Sequence, residues 1–284
     1  MFHQNYEIKN TKYIRPEKIY SNPENYPFFQ KNLENFKQKI KKDSEKMINS
    51  TFYKFGDGDY FLLKNQSMGT AKPGMRDTYK YKILNPSNKY LKKMSRKSDY
   101  YLSLLQFFPE FKESFDRTPD YLAEYVYGLV ANKWFFKNFK KIGLIGSEIK
   151  ISIISDLMQS QQYQEYLNIE KFETYITIPQ VYALSKSRFI YKDIGKQIQK
   201  SDAEIFLLGI GHSQNILLPK LKAYSKRPLI CVGIGLDAIS GCVNINRPYF
   251  GAWTNYRLKN SKIYEEINDV TMKTTLDKNN TIFI

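Results

Sequence analysis

Cysteine is scarce in this chain: Cys231 and Cys242 are the only two among 284 residues. Two thiols make no disulfide framework, and there is no pair of Cys-x-x-Cys motifs to hold a structural zinc. A reducing, cytoplasm-like compartment is therefore expected. Histidine is as rare, with His3 and His212 alone. No Ser/His/Asp or Cys/His set stands at a recognisable spacing, which disfavours nucleophilic hydrolysis. Long apolar runs are missing too, since none nears the ~20 residues that span a bilayer. The opening residues Met1 to Glu7 show no basic segment followed by an apolar one, so no secretory signal is expected. Acidic side chains are outnumbered, 28 against 44 basic ones, and the formal charge is +16.

What is abundant is aromatic and basic. Hydrophobic residues make up 42% and aromatics 15%, enough for a sizeable core. The mean hydropathy of -0.53 reflects Lys, Asn and Gln rather than disorder. Excess positive charge attracts nucleic acid, anionic membranes and anionic small substrates. Many of the lysines, however, fall on helical faces such as Asn35 to Lys42, where solvation is the usual role. The length suits one large domain, expected over 1–284. Within it, residues 1–28 read as an irregular arm punctuated by Pro16, Pro23 and Pro27. Residues 259–284 read as a peripheral tail ending in a strand, Thr281 to Ile284.

Apolar spacing predicts an amphipathic helix from Gln30 to Asn49 through Leu33, Phe36, Ile40 and Met47. Thr51 to Phe55 reads as the first strand, ending at a Gly56-Asp57-Gly58-Asp59 turn. Residues 64 to 76 read as a loop, Pro86 to Met94 as a helix and Tyr100 to Phe107 as a strand. Pro119 to Asn138 reads as an aromatic helix. Beyond it the pattern alternates: strands at 141–146, 172–178, 203–209 and 228–233, with helices running to Met158, over 191–201 and to Ala223. A loop is expected over Gly235 to Gly241. Strand, glycine turn, helix, strand is the signature of an α/β, Rossmann-like fold with a mostly parallel sheet flanked by helices. Ligands of such sheets bind beyond the carboxyl ends of the strands, where each glycine-marked turn lies.

Two constellations at those ends carry chemistry. Asp57 and Asp59 sit one residue apart in a glycine turn, with Gly56 and Gly58 leaving the backbone free to fold around a cation. One or two carboxylates on Mn²⁺ or Mg²⁺ leave coordination sites for substrate phosphates, which suits a nucleoside diphosphate. An ordinary Asp-Gly turn reads equally well. Gly209-Ile210-Gly211-His212-Ser213 opens a helix after a buried strand and offers backbone N–H groups to an anion. It has no third glycine and no following lysine, so neither a dinucleotide fingerprint nor a P-loop is indicated. Gly146-Ser147-Glu148 is a weaker version, with Ser147 also a candidate N-cap. Asp237 stands ready for a ligand hydroxyl or the metal. Arg247, beside aromatic residues Tyr249 to Trp253, suits a phosphate.

These segments together resemble the GT-D fold glycosyltransferases. The resemblance runs through Phe55 to Asp59, Lys140 to Glu148, Ile178-Pro179 with Ala183, Leu207 to Ser213, and Val232 to Asp237. In that family an Asp-x-Glu or Asp-x-Asp follows Arg-Tyr/Phe-Gly. Here Lys54 stands in place of the arginine and Asp59 in place of the glutamate. Gly-Ile-Gly-His and Gly-Ile-Gly-Leu replace the more usual Gly-Pro-Thr-Ala and Asp-x-Gly-His. The resemblance implies a metal-dependent enzyme moving a sugar from a nucleotide sugar, typically UDP-linked, to a hydroxyl of a glycan or glycoconjugate. A carboxylate would take the acceptor proton if the reaction inverts, with Asp99 the first choice and Asp77 the second. Nucleic acid is not an expected partner, because carboxylates at a strand end repel phosphate unless a metal intervenes. A basic nucleic-acid-binding protein and a metal-dependent phosphoesterase are the competing readings, and the basic surface leaves peripheral membrane association open.

Overall fold

The central strands are buried on both faces, which is why they read as nearly unbroken apolar runs. The computed structural model describes residues 29–64, 87–104, 107–180 and 183–241. Helix α1 (Phe29–Glu45) leads into β1 (Thr51–Phe55), then α2 (Asp57–Leu63) and α3 (Asn88–Ser95). β2 (Tyr100–Ser103), α4 (Phe108–Phe115), β3 (Tyr121–Leu122), α5 (Ala123–Ala131) and α6 (Trp134–Asn138) complete the first half. The second half runs β4 (Ile142–Ser147), α7 (Glu148–Leu157), α8 (Gln161–Leu167), β5 (Thr174–Ile178) and α9 (Ala183–Lys200). It continues with β6 (Ile205–Gly209), a 3₁₀ turn (Gly211–Ser213), α10 (Gln214–Leu221), a second 3₁₀ turn (Lys222–Tyr224), β7 (Leu229–Cys231) and α11 (Ile234–Ile239).

All seven strands pair in parallel, in the order β3-β2-β1-β7-β6-β4-β5. The α/β, Rossmann-like architecture expected from the alternation is thus the one found. Strand periodicity divides the core. Phe52, Leu144, Leu207 and Ile230 face one layer, with α1, α5, α6, α7, α8 and α11 packed on it. Tyr53, Phe55, Ile145, Leu208 and Cys231 face the other, covered by α2, α3, α4, α9 and α10. Among the described residues no helix is long and apolar enough to cross a membrane.

The elements depart from the sequence reading at instructive places. The Gly56 to Asp59 turn is the first turn of helix α2 rather than a loop, and the Gly235 to Gly241 loop holds α11. Tyr100 to Phe107 ends as a strand at Ser103, and Phe108 begins α4 with Pro109 in its first turn, where a missing N–H costs nothing. Pro119 to Asn138 is interrupted by the short edge strand β3 and by Lys133, whose φ of 58° breaks the helix. The arm, the tail strand and most of the 64–76 loop lie outside the described residues.

Candidate functional site

β1 and β7 lie side by side at the centre of the sheet, yet their exits diverge. β1 feeds α2 on one face and β7 feeds α11 on the other. The backbone parts above the carboxyl ends, and a crevice opens there toward solvent. This is the switch point at which open parallel sheets bind ligands. Lys54 and Gly56 from β1, Gly58 and Asp59 from α2, Gly209 to His212 after β6, and Gly233, Ile234 and Asp237 after β7 line it. Lys150 reaches in from α7.

Asp59 shows why the Phe-Gly-Asp-Gly-Asp run folds as it does. It is the third residue of α2, and its Oδ2 accepts the Gly56 N–H at 3.2 Å, the reciprocal half of a capping box. Its Oδ1 accepts Gln214 Nε2 at 2.9 Å and Asn215 Nδ2 at 3.3 Å. Tyr53 donates its hydroxyl to Asn215 Oδ1 at 2.8 Å, and burial together with the Asp59 charge holds that phenol protonated well above its ordinary range. Gln214 also clasps β1, donating to Lys54 O at 2.8 Å and accepting from Lys54 N. Only 4% of Asp59 is exposed. Its carboxylate is the hub that ties the end of β1, the start of α2 and the start of α10 into one piece.

The cationic groups of the crevice are held by packing. Lys54 alternates with Tyr53 and Phe55 along β1, and its ammonium stands 5.5 Å from the Tyr127 ring centre. Its stem crosses Gly233, where an added Cβ would fall 2.6 Å from Lys54 Cε. Gly233 adopts φ 53°, ψ -119°, a conformation costly for any other residue. Lys150 is ion-paired with Asp237, bridging α7 and α11 at the crevice edge. The His212 ring lies against α2, since a Cβ on Gly58 would meet Nε2 at 2.6 Å.

The crevice thus gathers Gly56, Gly58, Asp59, Gly209, Gly211, His212 and Asp237 from the sequence-derived candidates. Others sit elsewhere. Gly146 is buried under Leu236, and Ser147 is buried with its Oγ unpaired among the described residues, so it makes no cap bond. Glu148 is exposed beside Gln180, and Ser213 turns into the core. Asp99 is displaced most. It directly precedes β2 at the amino end of the sheet, where it accepts Thr51 N at 2.9 Å and Thr51 Oγ1 at 2.7 Å and pairs with Lys222. That is one strand length, ~13 Å, from the crevice, which Asp99 does not line; its contacts there join β1 to β2. Asp77, Arg247 and the side chain of Asp57 lie outside the described residues. Lys54, noted from sequence only as standing where the resembled family has an arginine, and Lys150, which no motif flagged, are both crevice residues.

Of the two aspartates expected to hold Mn²⁺ or Mg²⁺, the side chain of Asp57 lies outside the described residues and Asp59 is turned into the protein. Asp59 is committed to three N–H donors and Asp237 to Lys150. No three of His, Cys, Asp and Glu gather as a metal set among the described residues. Cys231 is a buried thiol whose pKa burial raises strongly, which suits packing and not reactivity. The chain matches no family model, no curated protein and no solved structure.

Proposed function

We propose that the crevice binds the diphosphate of a nucleoside-diphosphate sugar, and that the protein is a glycosyltransferase acting on a hydroxyl of a glycan or glycoconjugate. The observation that carries the diphosphate half is the convergence of Lys54, Lys150 and His212 with five glycines at the sheet's switch point. Glycines let an anion approach the backbone, and lysines supply the charge. The resemblance of Phe55 to Asp59 and Leu207 to Ser213 to GT-D enzymes supplies the sugar-transfer half. A UDP-sugar is the donor of choice on the same ground.

In this reading Lys54 stabilises the negative charge that grows on the leaving diphosphate. Lys150 shifts from Asp237 to the incoming phosphates, which frees the Asp237 carboxylate to accept a sugar or ribose hydroxyl. No step is assigned to a metal, because the described carboxylates are engaged otherwise.

Titration calorimetry with UDP and a panel of UDP-sugars tests the proposal. Lys54→Met is expected to weaken UDP binding about tenfold, the loss of one charge-assisted contact. Absence of binding by every nucleotide tried, or an unchanged affinity in Lys54→Met, would overturn it. Repeating the titration in EDTA and in Mn²⁺ reports on Asp57.

A further inference from the structure

Helix α9 presents a surface that the crevice chemistry does not use. Phe189 in its second turn is 74% exposed, the most exposed large apolar side chain among the described residues. Helical spacing puts Lys186, Lys192, Lys196 and Lys200 on the same side as Phe189, all of them exposed. Asp193 is the one acid on this stripe and stands 3.9 Å from Lys196. Flanking cations are fixed by neighbouring rings. Arg188 lies 4.6 Å from the Tyr90 ring centre on α3, and Lys220 of α10 lies 4.0 Å from that of Tyr191. The crowding is felt electrostatically, because burial and the nearby Arg188 and Lys192 charges lower the Lys220 pKa.

We infer that this face of α9 docks on an anionic lipid bilayer, with Phe189 entering the headgroup layer and the lysines around it facing lipid phosphates. A convex helix face with one projecting phenyl ring in a lysine field matches a planar, negatively charged surface with an apolar interior. A polynucleotide would be served better by a groove with stacked rings. α9 begins just past the carboxyl end of β5 and packs against the Gly211–Ser213 turn, so Phe189 lies at the crevice end of the molecule. Docking there holds the crevice mouth close to the bilayer. The inference stands whether or not the crevice takes a nucleotide sugar.

Flotation of the full chain with phosphatidylcholine vesicles, with and without phosphatidylglycerol, tests it. Binding is expected only with phosphatidylglycerol and is expected to fall with added salt. Lys192→Gln combined with Lys196→Gln should lower the partition coefficient about 25-fold, at roughly fivefold per lysine. Phe189→Ser should lower it about tenfold. Both variants should melt as the parent does, since the positions are exposed. In Phe189→Trp the new indole emission should shift to the blue on anionic vesicles alone. Equal binding to neutral vesicles, unchanged binding by Phe189→Ser, or no blue shift would overturn the inference. So would lysine-dependent binding to single-stranded polynucleotide without vesicle recruitment.

Discussion

Asp59→Ala is expected to cost about 3 kcal/mol of folding stability in metal-free buffer, measured by urea unfolding. The carboxylate accepts three N–H groups, from Gly56, Gln214 and Asn215, and the residue is almost wholly buried. Removing it strands these donors, and each buried donor left unpaired carries its own desolvation cost. Asp59→Asn should be milder, at about 2 kcal/mol, because one oxygen remains while its amide N–H₂ meets another donor. A carboxylate that served a metal instead would behave differently. Its removal would leave the metal-free protein as stable as the parent, and Mn²⁺ would stabilise the parent alone. That pattern would refute the hub role assigned to Asp59.

Gly209→Ala is the second large effect. Gly209 ends β6 beside Gly146 of β4, and the Leu236 side chain of α11 lies across both. An added Cβ at position 209 would fall 2.5 Å from Leu236 Cβ, close to the helix backbone and not at a flexible tip. Helix α11 must then lift from the sheet, carrying Gly233 and Asp237 with it. Overpacking of this kind costs about 2 kcal/mol, which lowers the melting temperature by roughly 4–8 °C for a domain of this size. Ligand affinity should fall as well, because two crevice walls separate. Gly211→Ala is the control: it has φ 50° but nothing within 4 Å of a new Cβ, so only about 1 kcal/mol of backbone strain is expected. Equal melting temperatures for the two variants would mean that Leu236 does not seat α11.

The sheet was legible because buried parallel strands leave apolar runs between glycine turns. Thr51 to Phe55 was read to the residue, and the second-half alternation fixed the parallel pairing. Helices α2 and α11 escaped because Gly-Asp-Gly-Asp and Gly-Leu-Asp-Ala carry weak intrinsic helix preference. Such short helices are held by packing that local pattern does not report. β3 was lost for the opposite reason, since Tyr121 and Leu122 are too few to show a period. In the site, the carboxylates were found but their partners were not. That Asp59 turns inward depends on Gln214 and Asn215, about 155 residues away along the chain. Asp99 stands at the entrance of its strand, and only the parallel sheet shows that this entrance is the end away from the crevice. Lys54 was visible as the position of an arginine in the resembled family, but its seat against Gly233 depends on β7 lying beside β1.

The neighbouring of β1 and β7 has a consequence for how the protein is made. Thr51 pairs with Leu229, so the middle seam of the sheet joins segments 178 positions apart. Contacts of such separation are slow to form and close late. A ribosome releases β1 to β6 first, and two half-sheets can assemble before the seam exists. The crevice stands on that seam, so binding competence should arrive abruptly with the last described strand, with no partly active precursor before it.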